Sequence, residues 1–195
     1  MTLFRYTLPL RIRLDVYGRS RIPKRGPGIL YANHLSILDP IIIGMISPRP
    51  VKFLAASYLF RIPCLGRFLR WAGVEPLGGL RTTRETLKQA QAHLSDDGLV
   101  GLFPQGGVRR PNAPLTIEPG LIHLTRRSDA PVIPIFIVGT EKVLPTGSYI
   151  PAAGSVRVCI GEPFLLSEAP AKTQKEQLAL GIVRLQKEAD QEGEH

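Results

Sequence analysis

The residues with the clearest chemical potential stand in one short run, Asn33-His34-Leu35-Ser36-Ile37-Leu38-Asp39. His34 and Asp39 are five positions apart, which on one continuous helix would separate them by about 140°. They can meet only if His34 lies in a turn before the helix and Asp39 lies in its first turn. The neighbouring sequence predicts that arrangement. Gly28–Ala32 reads as a short buried strand that ends at Asn33, and Ser36 with Asp39-Pro40 supplies a helix start: Ser-x-x-Asp can form a capping box and proline is tolerated in a first turn. An aspartate that accepts from one imidazole nitrogen fixes the tautomer and leaves the other nitrogen as a general base. The same two residues could also do no more than cap a helix.

A second run, Gly101-Leu102-Phe103-Pro104-Gln105-Gly106-Gly107-Val108-Arg109-Arg110, carries a buried strand into a loop with two glycines and two arginines. Glycine backbone can approach an anion closely, and paired arginines can hold a phosphate bidentately. In a third run, Ala130-Pro131-Val132-Ile133-Pro134-Ile135, two prolines flank the start of an apolar strand, which shapes a sheet edge or the mouth of a cavity.

These side chains need a scaffold. Strands are expected at Gly28–Ala32, Gly98–Phe103, Val132–Val138 and Val156–Ile160. Helices are expected from Ser36 to Ile46 and over Thr82–Leu94, Pro119–Arg127 and Lys172–Ala189. Apolar strands alternating with helices indicate a single α/β domain, its mostly parallel mixed sheet flanked by helices and buried on both faces. The turn-rich Pro23–Gly28 segment divides the chain into a basic amphipathic, membrane-proximal arm at 1–24 and a domain at 25–195.

The chain has 195 residues, 25 Lys+Arg against 16 Asp+Glu, and a formal net charge of +9. That length can bury one substantial core, and 44% hydrophobic against 21% charged residues excludes a disordered chain. Cys64 and Cys159 are far apart, so a disulfide framework and a structural zinc site are not expected, and a reducing cytoplasm is the default. No apolar run approaches the ~18–20 residues that cross a bilayer, and Arg5, Arg11 and Arg13 break any secretory signal. The chain is therefore expected not to span a membrane. Residues 1–30 carry a net +6, as do residues 49–88, whereas 129–195 come to −3. Between Phe53 and Trp71 the basic residues interleave with Phe, Leu and Trp. Such a surface suits anionic lipid with snorkelling arginines better than nucleic acid, for which no RRM, KH or zinc-knuckle pattern is present.

In order and distance, the three runs together resemble the glycerolipid acyltransferases typified by lysophosphatidate acyltransferases, over residues 25–165. The family's Asn-His-x-x-x-x-Asp block matches Asn33, His34 and Asp39. Its Phe-Pro-Glu-Gly-Thr-Arg-Ser block matches Phe103, Pro104 and Gly106, with Gln105, Gly107 and Val108 in the places of the glutamate, threonine and phosphate-binding arginine. Its Val-Pro-x-x-Pro-type block matches Ala130–Pro134. The resemblance implies acyl transfer from acyl-CoA or acyl-carrier protein to a lipid hydroxyl at the cytoplasmic face of a membrane, with His34 as base and Asp39 as its orienting partner. Neither metal nor cofactor is implied, and the anionic membrane surface is the implied partner, not nucleic acid. Asn33, Arg81, Arg84, Gln105, Gly106, Gly107, Arg109 and Arg110 are the implied substrate-binding residues, with the Gly106-Gly107 backbone as oxyanion donor. A lysophospholipid such as 1-acyl-glycerol-3-phosphate is the leading acceptor. Acylation of a non-phosphorylated lipid or glycolipid alcohol, or a silent lipid-binding protein that keeps the fold, are the alternatives.

Overall fold

Every residue of Gly28–Ala32 and Leu99–Leu102 is buried, and so are Val132–Ile137, as expected of strands covered on both faces. In the computed structural model these segments form the centre of an eight-stranded sheet. The structure describes residues 3–8, 11–54, 66–67, 74–77, 84–105, 108, 116–117, 119–148, 150–166 and 170–191. The strands are β1 (Leu3–Leu8), β2 (Ile12–Tyr17), β3 (Gly28–Ala32), β4 (Val51–Leu54), β5 (Val74–Leu77), β6 (Leu99–Leu102), β7 (Val132–Val138) and β8 (Gly154–Ile160). The helices are α1 (Asp39–Ile46), α2 (Arg84–Ser95), α3 (Pro119–Arg126), α4 (Thr140–Val143) and α5 (Ala171–Gln191).

The sheet order is β1-β2-β8-β7-β3-β6-β4-β5. From β7 to β5 all neighbours are parallel, while β8 runs antiparallel to β7, β2 parallel to β8, and β1 antiparallel to β2. The chain leaves β3 toward β4 on one side, and later crosses from β6 to β7 on the other. β3 is thus the strand at which the winding reverses, and the carboxyl ends of β3, β6 and β7 open on one edge. In open α/β sheets that edge is where ligands bind.

Alternation along the strands divides the core in two. Leu30, Ala32, Ile133, Ile135 and Ile137 pack with the isoleucines of α1 on one face. Ile29, Tyr31, Val132 and Phe136 pack with Leu94 of α2, Leu121 and Leu124 of α3, and Leu178, Ile182 and Leu185 of α5 on the other.

The single mostly parallel α/β domain matches expectation, while a separate N-terminal arm is not confirmed. Within residues 1–24, expected as a separate arm, Leu3–Leu8 and Ile12–Tyr17 are strands of the sheet. Ile12, Leu14 and Val16 are buried on one face of β2. On the other, Asp15 is buried and accepts from Arg5 Nε at 2.8 Å and Arg13 Nε at 2.9 Å. The acid pairs with two of the cations of this segment and offsets one unit of their charge. Arg19, just after β2, donates from Nε to the Ile46 carbonyl at 2.8 Å and so ties the hairpin to the end of α1. The expected Phe53–Trp71 surface begins differently too. Phe53 lies in β4 and is buried in the core, and most of the remaining stretch lies outside the described residues. Among the described residues no helix is long and apolar enough to cross a membrane.

Candidate active site

Asn33 ends β3 and is held by β7. Its amide nitrogen donates to the Ile137 carbonyl at 2.7 Å, and its amide oxygen accepts from the Ile137 N–H at 2.7 Å. The side chain thus extends the β3–β7 ladder by one step after the backbone has turned away. Asn33 is 6% exposed and both ends of its amide are engaged with Ile137, which fixes the turn at the end of β3.

The backbone then bends through His34, Leu35 and Ser36. The Asp39 carboxylate, which can only accept, takes four donors. Oδ2 takes His34 Nδ1 at 2.8 Å, the Leu35 N–H at 2.7 Å and the Ser36 N–H at 2.8 Å. Oδ1 takes the Thr140 hydroxyl at 2.6 Å. Asp39 is fully buried, while the His34 side chain is 14% exposed. The expected capping box is half realised. Asp39 reaches back to the Ser36 N–H, whereas the Ser36 hydroxyl accepts from the Leu38 N–H at 3.3 Å and donates to the Leu144 carbonyl at 2.9 Å.

Because an ionised carboxylate offers no proton, Nδ1 of neutral His34 carries the hydrogen and Nε2 keeps its lone pair. His34 is fixed from two further directions, one at its backbone and one at its ring. Gln105, buried after β6, accepts the His34 backbone N–H on Oε1 at 3.0 Å. Phe103 stacks on the imidazole, with ring centroids 4.0 Å apart and planes 16° from parallel. Phe53 of β4 stacks on Phe103 in turn at 5.7 Å. Gly101 makes room for that column, since a Cβ there would stand 2.5 Å from the Phe53 ring.

Three strand ends therefore supply one site: β3 gives His34, β6 gives Phe103 and Gln105, and β7 gives Thr140. Thr140 escaped sequence reading because it stands 101 residues beyond Asp39. Its one signal is the preceding Gly139, whose φ of +99° ends β7 with a turn that side chains rarely adopt. Of the expected binding residues, Gln105 is placed against His34. Arg84 opens α2, is exposed, and makes no hydrogen bond to His34, Asp39 or Gln105 among the described residues. Arg81, Gly106, Gly107, Arg109 and Arg110 lie outside the described residues, while Val108 is 37% exposed.

A His–Asp pair at the carboxyl edge of a parallel sheet, with one imidazole nitrogen kept basic, is equipped to deprotonate a hydroxyl. The family model described as Acyltransferase matches residues 13–138, well over half of the chain. The chain belongs to this family.

Its relatives there are specific proteins. It is 29% identical over 161 residues to a chloroplastic 1-acyl-sn-glycerol-3-phosphate acyltransferase of Brassica napus, covering 80% of this chain and 46% of that one. It is 25% identical over 137 residues to the 1-acyl-sn-glycerol-3-phosphate acyltransferase of Borreliella burgdorferi, covering 67% and 53%. The chain spans about half the length of these relatives. Its fold is similar to the crystal structure of the 1-acyl-sn-glycerophosphate acyltransferase PlsC from Thermotoga maritima, with a TM-score of 0.68 and 22% identity, covering 88% of this chain and 72% of that one.

Proposed function

We propose that this protein transfers a fatty acyl group from acyl-CoA or acyl-carrier protein to the free hydroxyl of 1-acyl-glycerol-3-phosphate, giving phosphatidate. The observation that carries the reading is the 2.8 Å contact between His34 Nδ1 and the buried Asp39. In this scheme Nε2 takes the proton of the acceptor hydroxyl as its oxygen attacks the thioester carbonyl. The tetrahedral intermediate collapses, the C–S bond breaks, and the departing thiolate receives the proton from the imidazolium. Asp39 stabilises that imidazolium and keeps its orientation. The thioester is already activated, so no serine or cysteine nucleophile is required, and Ser36 has its hydroxyl engaged with backbone at 2.9 Å.

The choice of acceptor is supported by the activity in the names of the relatives from Brassica napus and Borreliella burgdorferi. Val108 stands where the family carries its phosphate-binding arginine, so Arg109, Arg110, Arg81 or Arg84 must supply the cation. The same departure favours a second reading, in which the acceptor is a lipid alcohol without phosphate. The reaction is assigned to the cytoplasmic face of a membrane, with peripheral attachment supported by the formal charge of +9.

Labelled acyl-CoA supplied with lysophosphatidate or with a monoacylglycerol decides the matter. Phosphatidate as the main product, with the lysophosphatidate KM raised about tenfold or more in Arg109→Ala or Arg110→Ala, supports the first reading. Acylation of the monoacylglycerol alone supports the second. Acylation of neither, with acyl-CoA and with acyl-carrier protein as donor alike, overturns both.

A further inference from the structure

The contacts of Asp39 divide unevenly between its two oxygens. Oδ2 receives three N–H donors, all from residues 34–36. Oδ1 receives the hydroxyl of Thr140 at 2.6 Å, the one donor it has among the described residues. Both side chains are fully buried, so water does not replace that donor freely. We propose that Thr140 is a positioning residue for the His34–Asp39 pair, holding the plane of the carboxylate so that Oδ2 faces the imidazole.

The reason lies in how a carboxylate is fixed. Three donors on one oxygen pin that oxygen, but the group still turns about its Cβ–Cγ bond, a soft sp³–sp² torsion. A donor on the second oxygen sets the torsion. Thr140 is suited to do so because its own backbone is anchored. Gly139 turns the chain with a positive φ, and the Gly139 N–H donates to Glu141 Oε2 at 2.9 Å. The Val143 N–H donates to the Gly139 carbonyl at 3.1 Å, and the Leu144 N–H to the Thr140 carbonyl at 2.8 Å. At its far end the α4 turn takes the Ser36 hydroxyl on the Leu144 carbonyl at 2.9 Å. The loop that carries His34 is thus clamped to the β7–α4 corner by two hydroxyl bonds, one to each side of the short helix.

This inference rests on the acyl-transfer reading for its kinetic consequence, but its structural content can be measured without substrate. Thr140→Val keeps the shape and removes the donor, and Thr140→Ser keeps the donor. In ¹⁵N-labelled protein, the His34 ring nitrogens report how completely the proton resides on Nδ1. The valine variant should shift those resonances toward a mixture of tautomers, and the serine variant should match the parent. In acyl-transfer assays the valine variant should lose kcat about tenfold or more with KM changed less than twofold, and serine should restore most of the loss. Parent-like resonances in a folded Thr140→Val overturn the proposal, as does a serine variant as perturbed as the valine one. If the parent transfers no acyl group at all, the functional reading fails while the resonances still decide the role of Thr140. If Thr140→Val does not fold, a Thr140→Ser variant with parent-like resonances and kcat supports the proposal, and one with a mixed tautomer overturns it.

Discussion

His34 and Asp39 meet, Nδ1 to Oδ2 at 2.8 Å, because a turn and not a helix separates them. Asp39 is the first residue of α1, and its N–H donates to the Ser36 carbonyl at 3.1 Å, closing the turn that brings its carboxylate back under Leu35 and Ser36. Pro40 fits because the N–H it lacks would be without a partner in the first turn in any case. The geometry of the pair is thereby built into the helix start.

Asp39→Asn separates charge from shape. The amide can keep its oxygen toward the three N–H donors and turn its NH₂ toward Thr140, whose hydroxyl can accept. The fold should lose only about 1–2 kcal/mol. Activity should fall by about 10³-fold or more, because a neutral amide does not stabilise the imidazolium. Thermal melting alongside kcat checks both halves.

Asn33→Ala tests the role of the β3–β7 bridge. The variant leaves the buried N–H and carbonyl of Ile137 without their partner, a cost of about 2–4 kcal/mol for two groups. Urea unfolding should show this as a lower midpoint with the slope kept. The KM for the lipid should stay within twofold at temperatures where the variant is folded, and a large rise would place Asn33 on the binding surface.

Much of this was readable beforehand, for a physical reason. Strands buried on both faces are continuous apolar runs, so β3, β6, β7 and the pairing of His34 with Asp39 followed from composition and local turn chemistry. The strands β1 and β2 are less legible: Ile12-Arg13-Leu14-Asp15-Val16 alternates with a period of two, but arginines on its polar face suit an exposed basic arm equally well. What makes Arg13 a strand residue is Asp15 and a neighbouring strand, and neither partner is visible from charge alone. β4 and β5 escaped because four residues carry little periodicity. The bridge from Asn33 to Ile137 and the bond from Thr140 to Asp39 are not legible in the sequence, because the partners stand 104 and 101 positions apart.

Gly139→Ala should damage the site through the backbone. A Cβ at this position would lie 2.1 Å from the Ser155 carbonyl oxygen, and φ is +99°. The expected loss exceeds about 1–2 kcal/mol, with Thr140 displaced from Asp39. Equilibrium denaturation and the His34 ring resonances should change together.

Tyr31 makes stability depend on alkaline pH. Burial pushes its phenol well above the usual 10.0, and its hydroxyl donates to the Leu178 carbonyl at 3.2 Å. Above pH 10 the unfolded chain releases this proton while the folded chain keeps it. The unfolded state then binds fewer protons, so stability falls as pH rises. Tyr31→Phe should show a shallower decline between pH 9.5 and 11 (roughly the range bracketing free tyrosine). Equal slopes for the two proteins would show that another group is responsible.

Acyl transfer by His34→Ala, compared with the parent at matched folded fraction, tests the central claim most directly. The substitution removes the stacking on Phe103 as well as the base, so melting must be recorded with it, and a loss of about 1 kcal/mol in stability is expected. The account predicts that transfer from labelled acyl-CoA to lysophosphatidate falls by about 10³-fold or more in a variant that remains folded. A folded His34→Ala protein that keeps more than about a tenth of the parent's kcat would contradict it, since positioned proton transfer contributes 10²-fold or more.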